Sequence, residues 1–245
     1  MNPLATSTVV FAIIGAGAFA GAFLRSKLPK HHLADDAKDV VRLGTGLIGT
    51  IAALVLGLLI ASANSSYDTQ GGEIKRMTAN IIELDQLLAQ YGPETRGARD
   101  LLRRAVGPLA DRIWRENSAV VSGEGRPFEA TAVAGMAFAE IVALSPQTDT
   151  QRLLKAHAIE VGNDLTQTRL LLFAQSGNSI PLPFLGVLVF WLAIIFLSFS
   201  LFSRLNPTVI SALFVFALSA SGAIFLILEL SQPFVGLMQI SSAPL

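Results

Sequence analysis

Residues 43–67 read LGTGLIGTIAALVLGLLIASANSSY, and no Asp, Glu, Lys or Arg interrupts them. Roughly 20 mostly apolar residues are needed to carry a helix across the hydrocarbon core of a bilayer, so this stretch is long enough to span one. Three further runs share its character: 2–24, 170–203 and 205–228. Within lipid the backbone has no water to bond, and a run of this length satisfies its own amides only as a helix. The fold class is therefore all-α: an integral membrane protein with four transmembrane helices, two on each side of a charged middle.

Composition agrees. Only 15% of the 245 residues are charged, where a soluble domain carries about a quarter. Eighteen basic residues balance 18 acidic ones, so no basic face is available for nucleic acid, and the lipid bilayer is the expected partner. The absence of cysteine excludes disulfides, thiolate metal centres and cysteine nucleophiles. The first run contains Ala18-Phe19-Ala20, which looks like a signal-peptide cleavage site. A signal peptide, however, carries its positive charges ahead of the apolar stretch. Here Arg25, Lys27 and Lys30 follow it, as expected for a retained helix.

The chain divides into transmembrane helices one and two (1–64), a helical extramembrane domain (65–179), and transmembrane helices three and four with a short C-terminal tail (180–245). Helix one is expected from about Thr8 to Leu24, with Leu28-Pro29 as its stop. Helix two is expected from Leu43 to about Asn64, closed by a polar cluster of Ser62, Asn64, Ser65, Ser66, Tyr67 and Asp68 acting as a cap. Helix three begins at the prolines of Ile180-Pro181-Leu182-Pro183 and helix four after Asn206-Pro207, because proline suits a first turn and not an interior.

In the middle domain Ile74, Met77, Ile81, Leu84, Leu88 and Tyr91 recur at alternating steps of three and four, as do Leu154, Ala158, Val161, Leu165, Thr168 and Leu172. Each set is the apolar seam of a helix. The two are expected to pack as antiparallel arms extending the membrane helices. Between them lie a segment with an expected break at Gly107-Pro108 and a nearly uncharged helix, 128–144. One face of that helix, Phe128, Ala132, Met136 and Ala139, suits burial or an interface.

Helix two also carries Thr45, Gly49, Ala53, Gly57 and Ala61, a small residue at every fourth position, and helix one has Gly17-x-x-x-Gly21. Small residues let membrane helices approach backbone to backbone; the alternative for helix two is that the stripe lines a pore. Asn64 closes this set of pore-lining or helix-packing candidates. The bulky residues Phe190, Trp191, Phe199 and Phe214 fall on helices three and four, so helices one and two are expected inside and three and four toward lipid.

Chemistry-bearing clusters are few. His31-His32 with Asp35 and Asp36 has first-row metal ligands, but on a short loop without a scaffold. His157, Glu160 and Asp164 share a helical face, which also describes a solvated surface. No metal site, cofactor or catalytic residue is expected; nucleophile and phosphate-loop motifs are absent, and the protein is read as no enzyme. Glu229, at the end of helix four, is the first ionisable residue within any span. Proton-driven transporters usually need an intramembrane relay, so transport is disfavoured. Glu229 is a candidate for a pore mouth or an interfacial anchor.

Several segments together resemble the bestrophin-like family of bacterial membrane proteins: Leu28-Pro29, the run TGLIGTIAALVLGLLIASANSSYD at 45–68, Gln167-Thr168-Arg169, and the closing ELSQPFVGLMQIS at 229–241. The likeness covers nearly the whole chain. It implies a homo-oligomeric ion channel in a bacterial plasma membrane, with helix two lining the axis, ions as passengers and the helical domain on the cytoplasmic side. The alternative is a non-conducting membrane scaffold whose helical arms bind a partner protein. Two features depart from the bestrophin pattern: 43–66 holds no aromatic residue to narrow a pore, and no dense acidic cluster matches the calcium clasp of animal bestrophins. Loop charge also argues against the implied orientation. The short loops hold Arg25, Lys27, Lys30, Lys38, Arg42 and Arg204, which would put those loops, and not the domain, in the cytoplasm.

Overall fold

The structure is a computed structural model that describes residues 2–29, 35–120, 129–175, 182–203, 206–234 and 237–240. All of its regular elements are helical: α1 (Pro3–Lys27), α2 (Asp35–Tyr91), a 3-10 turn (Pro93–Thr95), α3 (Arg96–Val120), α4 (Glu129–Ala143), α5 (Asp149–Gln175), α6 (Leu182–Phe202) and α7 (Pro207–Leu230). Four of these, α1, α2, α6 and α7, are long and apolar enough to cross a membrane. The chain forms two compact units, 1–66 with 179–231 and 67–178 with 232–245; α2 contributes to both.

In the first unit the same dipeptide starts two helices. Asn2 and Asn206 are N-caps: the Asn2 side chain accepts from the amides of Leu4 and Ala5, and Asn206 accepts from Val209 at 3.0 Å. The proline after each takes the first helical position, where no amide bond is lost. Helix α1 thus starts five residues earlier than the apolar pattern suggests, at Pro3, while Leu28 closes it as expected. It packs on α6 and α7. A Cβ on Gly17 would lie 2.7 Å from the Ala193 carbonyl oxygen, and one on Gly21 would collide with the Leu197 carbonyl. The Gly17-x-x-x-Gly21 pair therefore brings the α1 and α6 backbones into direct contact, as its small residues imply. Around this contact Val10, Ile14, Leu188 and Ile224 are buried, and Phe11 meets Phe214 edge-on with ring centres 5.7 Å apart.

The expected layering changes accordingly. α1, α6 and α7 form the packed group, with α6 the most buried of the four spans and α2 the least, at 33% and 11% of span residues. Bulk on α6 and α7 did not exile them to lipid: Phe196, Leu188 and Ile224 supply the core, while Phe190 and Phe216 face outward.

In the second unit α2 continues without a break through the polar cluster at 62–68. These residues lie inside the helix and do not close it; it ends only at Gly92, whose φ of 136° is closed to most side chains. Just beyond it the Thr95 hydroxyl, fully buried, donates to the carbonyl oxygens of Leu88 and Gly92 at 2.5 and 2.8 Å. Helix α3 runs straight through Pro108 rather than breaking there. A proline inside a helix costs about 3 kcal/mol, and here Ala98, Leu102, Ala105 and Ile113 carry one buried face across it. Gly97 on α3 leaves room for the Glu140 carboxylate of α4, and Gly162 on α5 for the Phe138 ring. Helix α4 turns inward with Ala137 and Ile141; the expected face of Ala132, Met136 and Ala139 is exposed, and Phe128 lies outside the described residues. Beyond α7, Phe234 enters a cluster with Ile74, Met77, Ile113 and Leu172, and the Ile240 amide donates to the Pro233 carbonyl at 2.8 Å.

Gly21→Val should lower the melting temperature of the purified protein in detergent, since overpacking of this kind costs about 1–3 kcal/mol. Gly15→Ala, with nothing within 4 Å of the added Cβ, should leave it unchanged. Circular-dichroism melts of both variants check the pair.

Candidate pore helix and charged pairs of the helical unit

An α-helix turns about 100° per residue, so a small residue at every fourth position drifts about 40° round the helix at each step. The stripe on α2 follows that drift. Thr45, 8% exposed, lies on the packed side, and Gly49 faces Ile195 with a contact of 3.9 Å from its would-be Cβ. Ala53, Gly57 and Ala61 have rotated onto the exposed side, and a Cβ on Gly57 would meet nothing within 4 Å. Asn64 is exposed as well. The structure thus divides the candidate set between two faces. The exposed face joins Thr50, Leu54, Gly57, Leu58 and Ala61. Of these Leu54 and Leu58 are bulky, 65% and 62% exposed in the single chain. The Thr50 hydroxyl donates to the Gly46 carbonyl at 3.0 Å, leaving its oxygen free to accept. Glu229 is 3% exposed in the last turn of α7, a buried group within the first unit.

The charged side chains of the second unit are organised by the pairing of α2 with α5. Arg76 forks onto Asp164 at 2.6 and 3.1 Å, and the Asn80 amide adds a bond of 2.8 Å to the same carboxylate. His157 bridges Glu83 on α2 at 3.0 Å and Glu160 on its own helix at 3.4 Å. The Gln151 amide donates to the Tyr91 carbonyl at 3.1 Å. Positions that rise along α2 meet positions that fall along α5, which is antiparallel order. Both sequence seams are buried or half-buried along their length. Of the three residues that share this helical face, His157 and Glu160 are joined to each other, Asp164 is held by Arg76 and Asn80, and the described residues contain no metal-ligating group of three. His31, His32 and the Asp35 and Asp36 side chains lie outside the described residues.

On the α2–α3 side Arg99 binds Asp85 through two bonds of 2.8 Å. That guanidinium holds the Asp85 carboxyl below its ordinary value of 3.8 against the opposing effect of burial. Asp164 is lowered too, first by the Asn80 bond and then by Arg76. His157 is raised above 6.5, chiefly by the bond to Glu83 and next by that to Glu160. Sequence reasoning passed over the pairing of Arg76, Asn80, Glu83, Asp85 and Arg99; for the α2–α5 bridges the signal available was the charges next to Met77, Leu84, Ala158 and Leu165 on two seams already expected to meet, and none pointed to Arg99 on α3.

The Bestrophin-like domain family matches residues 12–245, all but the first turns of α1. The chain belongs to the bestrophin-like family. Among solved structures it is similar to two mutant forms of a bacterial bestrophin homologue from Klebsiella pneumoniae. One aligns with a TM-score of 0.65 at 15% identity, covering 92% of this chain and 90% of that one. The other aligns with 0.68 at 13% identity, covering 94% and 92%. At such identities the likeness shows the fold. No curated protein matches the chain. The bestrophin-like fold accounts for four apolar spans and a helical unit in one chain of this length.

The His157 bridges set a pH dependence. A histidine whose pKa rises on folding contributes stability that is complete below its unfolded value, near 6.5, and is lost as pH climbs through the raised value. Asp85 and Asp164, lowered from 3.8, change only in acid and leave this window flat. The melting temperature of this bestrophin-like protein should therefore fall as pH rises above 6.5, and His157→Gln should remove that slope. Melts across neutral pH for both proteins check it.

Proposed function

We propose that this protein assembles with copies of itself in a bacterial plasma membrane and passes ions along an axis lined by the exposed face of α2. The observation that carries the reading is the poor cover of that helix: of four spans in a bestrophin-like chain, α2 is the least buried. An apolar helix face with small residues among large ones suits contact with identical neighbours. In such a ring the Leu54 and Leu58 side chains form an apolar constriction and Gly57 and Ala61 a wider stretch beside it. A constriction of this kind gates by dewetting rather than by fixed charge, in keeping with the uncharged run 43–67. The antiparallel α2–α5 pair would serve as an arm extending the membrane helices.

Anion and cation flux through liposomes holding the purified protein tests the reading. Gly57→Leu should reduce flux several-fold while the subunit still folds and assembles; a Cβ added there meets nothing within 4 Å in its own chain. Passage of neither anions nor cations by the wild-type protein would defeat the proposal.

The scaffold alternative draws support from the outer face of α4, where Met136 is 55% exposed beside Ala132 and Ala139. Removing α4 is the wrong probe, because Ala137 and Ile141 belong to the core. Met136→Gln with Ala139→Gln should instead abolish partner recovery while leaving the melt and any ion flux intact. Recovery of the same partners by that variant sinks the alternative.

A further inference from the structure

Within the first unit a cleft of about 550 Å³ opens between the start of α2 and the end of α6. That is the size of a pocket for a small organic ligand. One end is basic: Lys38 and Arg42 line it, and Arg25, at the end of α1, donates to the carbonyl of Ser203, another lining residue. The far end is apolar, where Ile195 meets Gly49, and Phe199 and Phe202 wall the α6 side along the cleft. Deeper along the helices than the cations lie Thr45 and Ser198, buried residues at 8% and 9% exposure that bring hydroxyls to the lining. Other helical hydroxyls, such as those of Thr50, Thr78 and Thr166, donate to the carbonyl one turn back. Asp39 stands about 100° round α2 from Lys38 and is not part of the lining.

The position of the cleft along the spans decides what chemistry suits it. Lys38 and Arg42 stand just before the uncharged run of α2, Phe202 and Ser203 close that of α6, and Arg25 ends that of α1. Three spans therefore change from apolar to charged at one level, the level of phospholipid headgroups. Two cations at that level, two hydroxyls deeper along the helices, and an apolar wall of Phe199, Phe202 and Ile195 running beside both match an anionic headgroup, its glycerol esters and its chains. Basic pockets between membrane helices recognise anionic lipids through the same combination.

We propose that this cleft is a binding site for an anionic phospholipid, with Lys38 and Arg42 on the phosphate, Thr45 and Ser198 facing the glycerol region and the α2–α6 trough holding the first methylenes of the chains. The site is independent of ion passage.

Native mass spectrometry of the full-length protein in neutral detergent, titrated with phosphatidylglycerol or with phosphatidylcholine of the same chains, tests it. Phosphatidylglycerol should be retained over phosphatidylcholine. Lys38→Gln with Arg42→Gln should weaken the anionic lipid about thirty-fold, the worth of two interfacial cations, and leave the zwitterionic one unchanged. Gly46→Leu probes the apolar half without touching charge: a Cβ there meets nothing within 4 Å, so the fold is kept while the cleft is filled, and lipid retention should drop. Equal retention of the two lipids, or an unaffected double variant, overturns the proposal. If excess inorganic phosphate strips the lipid and binds by itself, the site is one for free phosphate and the lipid assignment fails. If Gly46→Leu changes the subunit count and leaves lipid retention intact, a second copy occupies the cleft, and the assignment fails equally.

Discussion

A backbone amide in hydrocarbon has no water to bond, and that one constraint organises this protein. It makes every uncharged run a helix, and it requires that no helix end within the bilayer. Its consequence is clearest in α2, where 57 residues form a single helix. From Ala63 onward buried positions recur seven apart at Ala63, Gln70, Met77, Leu84 and Tyr91, with Ile74 and Leu88 buried between them. A heptad keeps one seam against a partner, so the packed face passes straight through the polar cluster at 62–68. Serine, asparagine and aspartate there had the composition of a cap. A cap also needs backbone that leaves the helix, and the backbone at 62–68 stays helical.

Small residues illustrate how one pattern serves two ends. On α1, Gly17 and Gly21 sit against the carbonyls of Ala193 and Leu197 and leave no room for a side chain. On α2, Gly57 has open space around it. Both fit the same spacing rule. The difference lies in what stands opposite, and only the folded chain supplies that. The drift of a four-residue repeat against a 3.6-residue turn also explains why a stripe of five small residues cannot mark one face, and why Thr45 and Ala61 point to different surroundings.

Much of the fold was legible. Four spans, the Asn206-Pro207 start of α7, the stop at Leu28 and both seams of the helical unit follow from charge, proline and period. So does the family, through the run at 45–68 and the closing 229–241 segment. Other features were not. Asn2-Pro3 carried the same cap signal as Asn206-Pro207 but was masked by the weaker hydropathy of the first residues. Pro108 suggested a break because local preference opposes it, while a buried face shared across it prevailed. The face of α4 at Ala132, Met136 and Ala139 was read as suited to burial or an interface, and only the fold shows that Ala137 and Ile141 are the buried side, because a helix rich in alanine offers nearly equal faces to a periodicity argument. For the candidate site, the sequence named residues of α2 without dividing its packed side from its open one.

The sequence by itself determined which segments enter lipid, that they are helical, and where the seams of the helical unit run. These follow from transfer of apolar groups out of water and from helical period, both properties of short stretches of chain. The tertiary structure alone decided that α1, α6 and α7 pack together while α2 keeps an uncovered face, that Arg76 and His157 find partners more than 70 residues away, and that Phe234 joins the helical unit. Each of these depends on which surfaces meet across long separations, and shape complementarity between distant segments has no local signature.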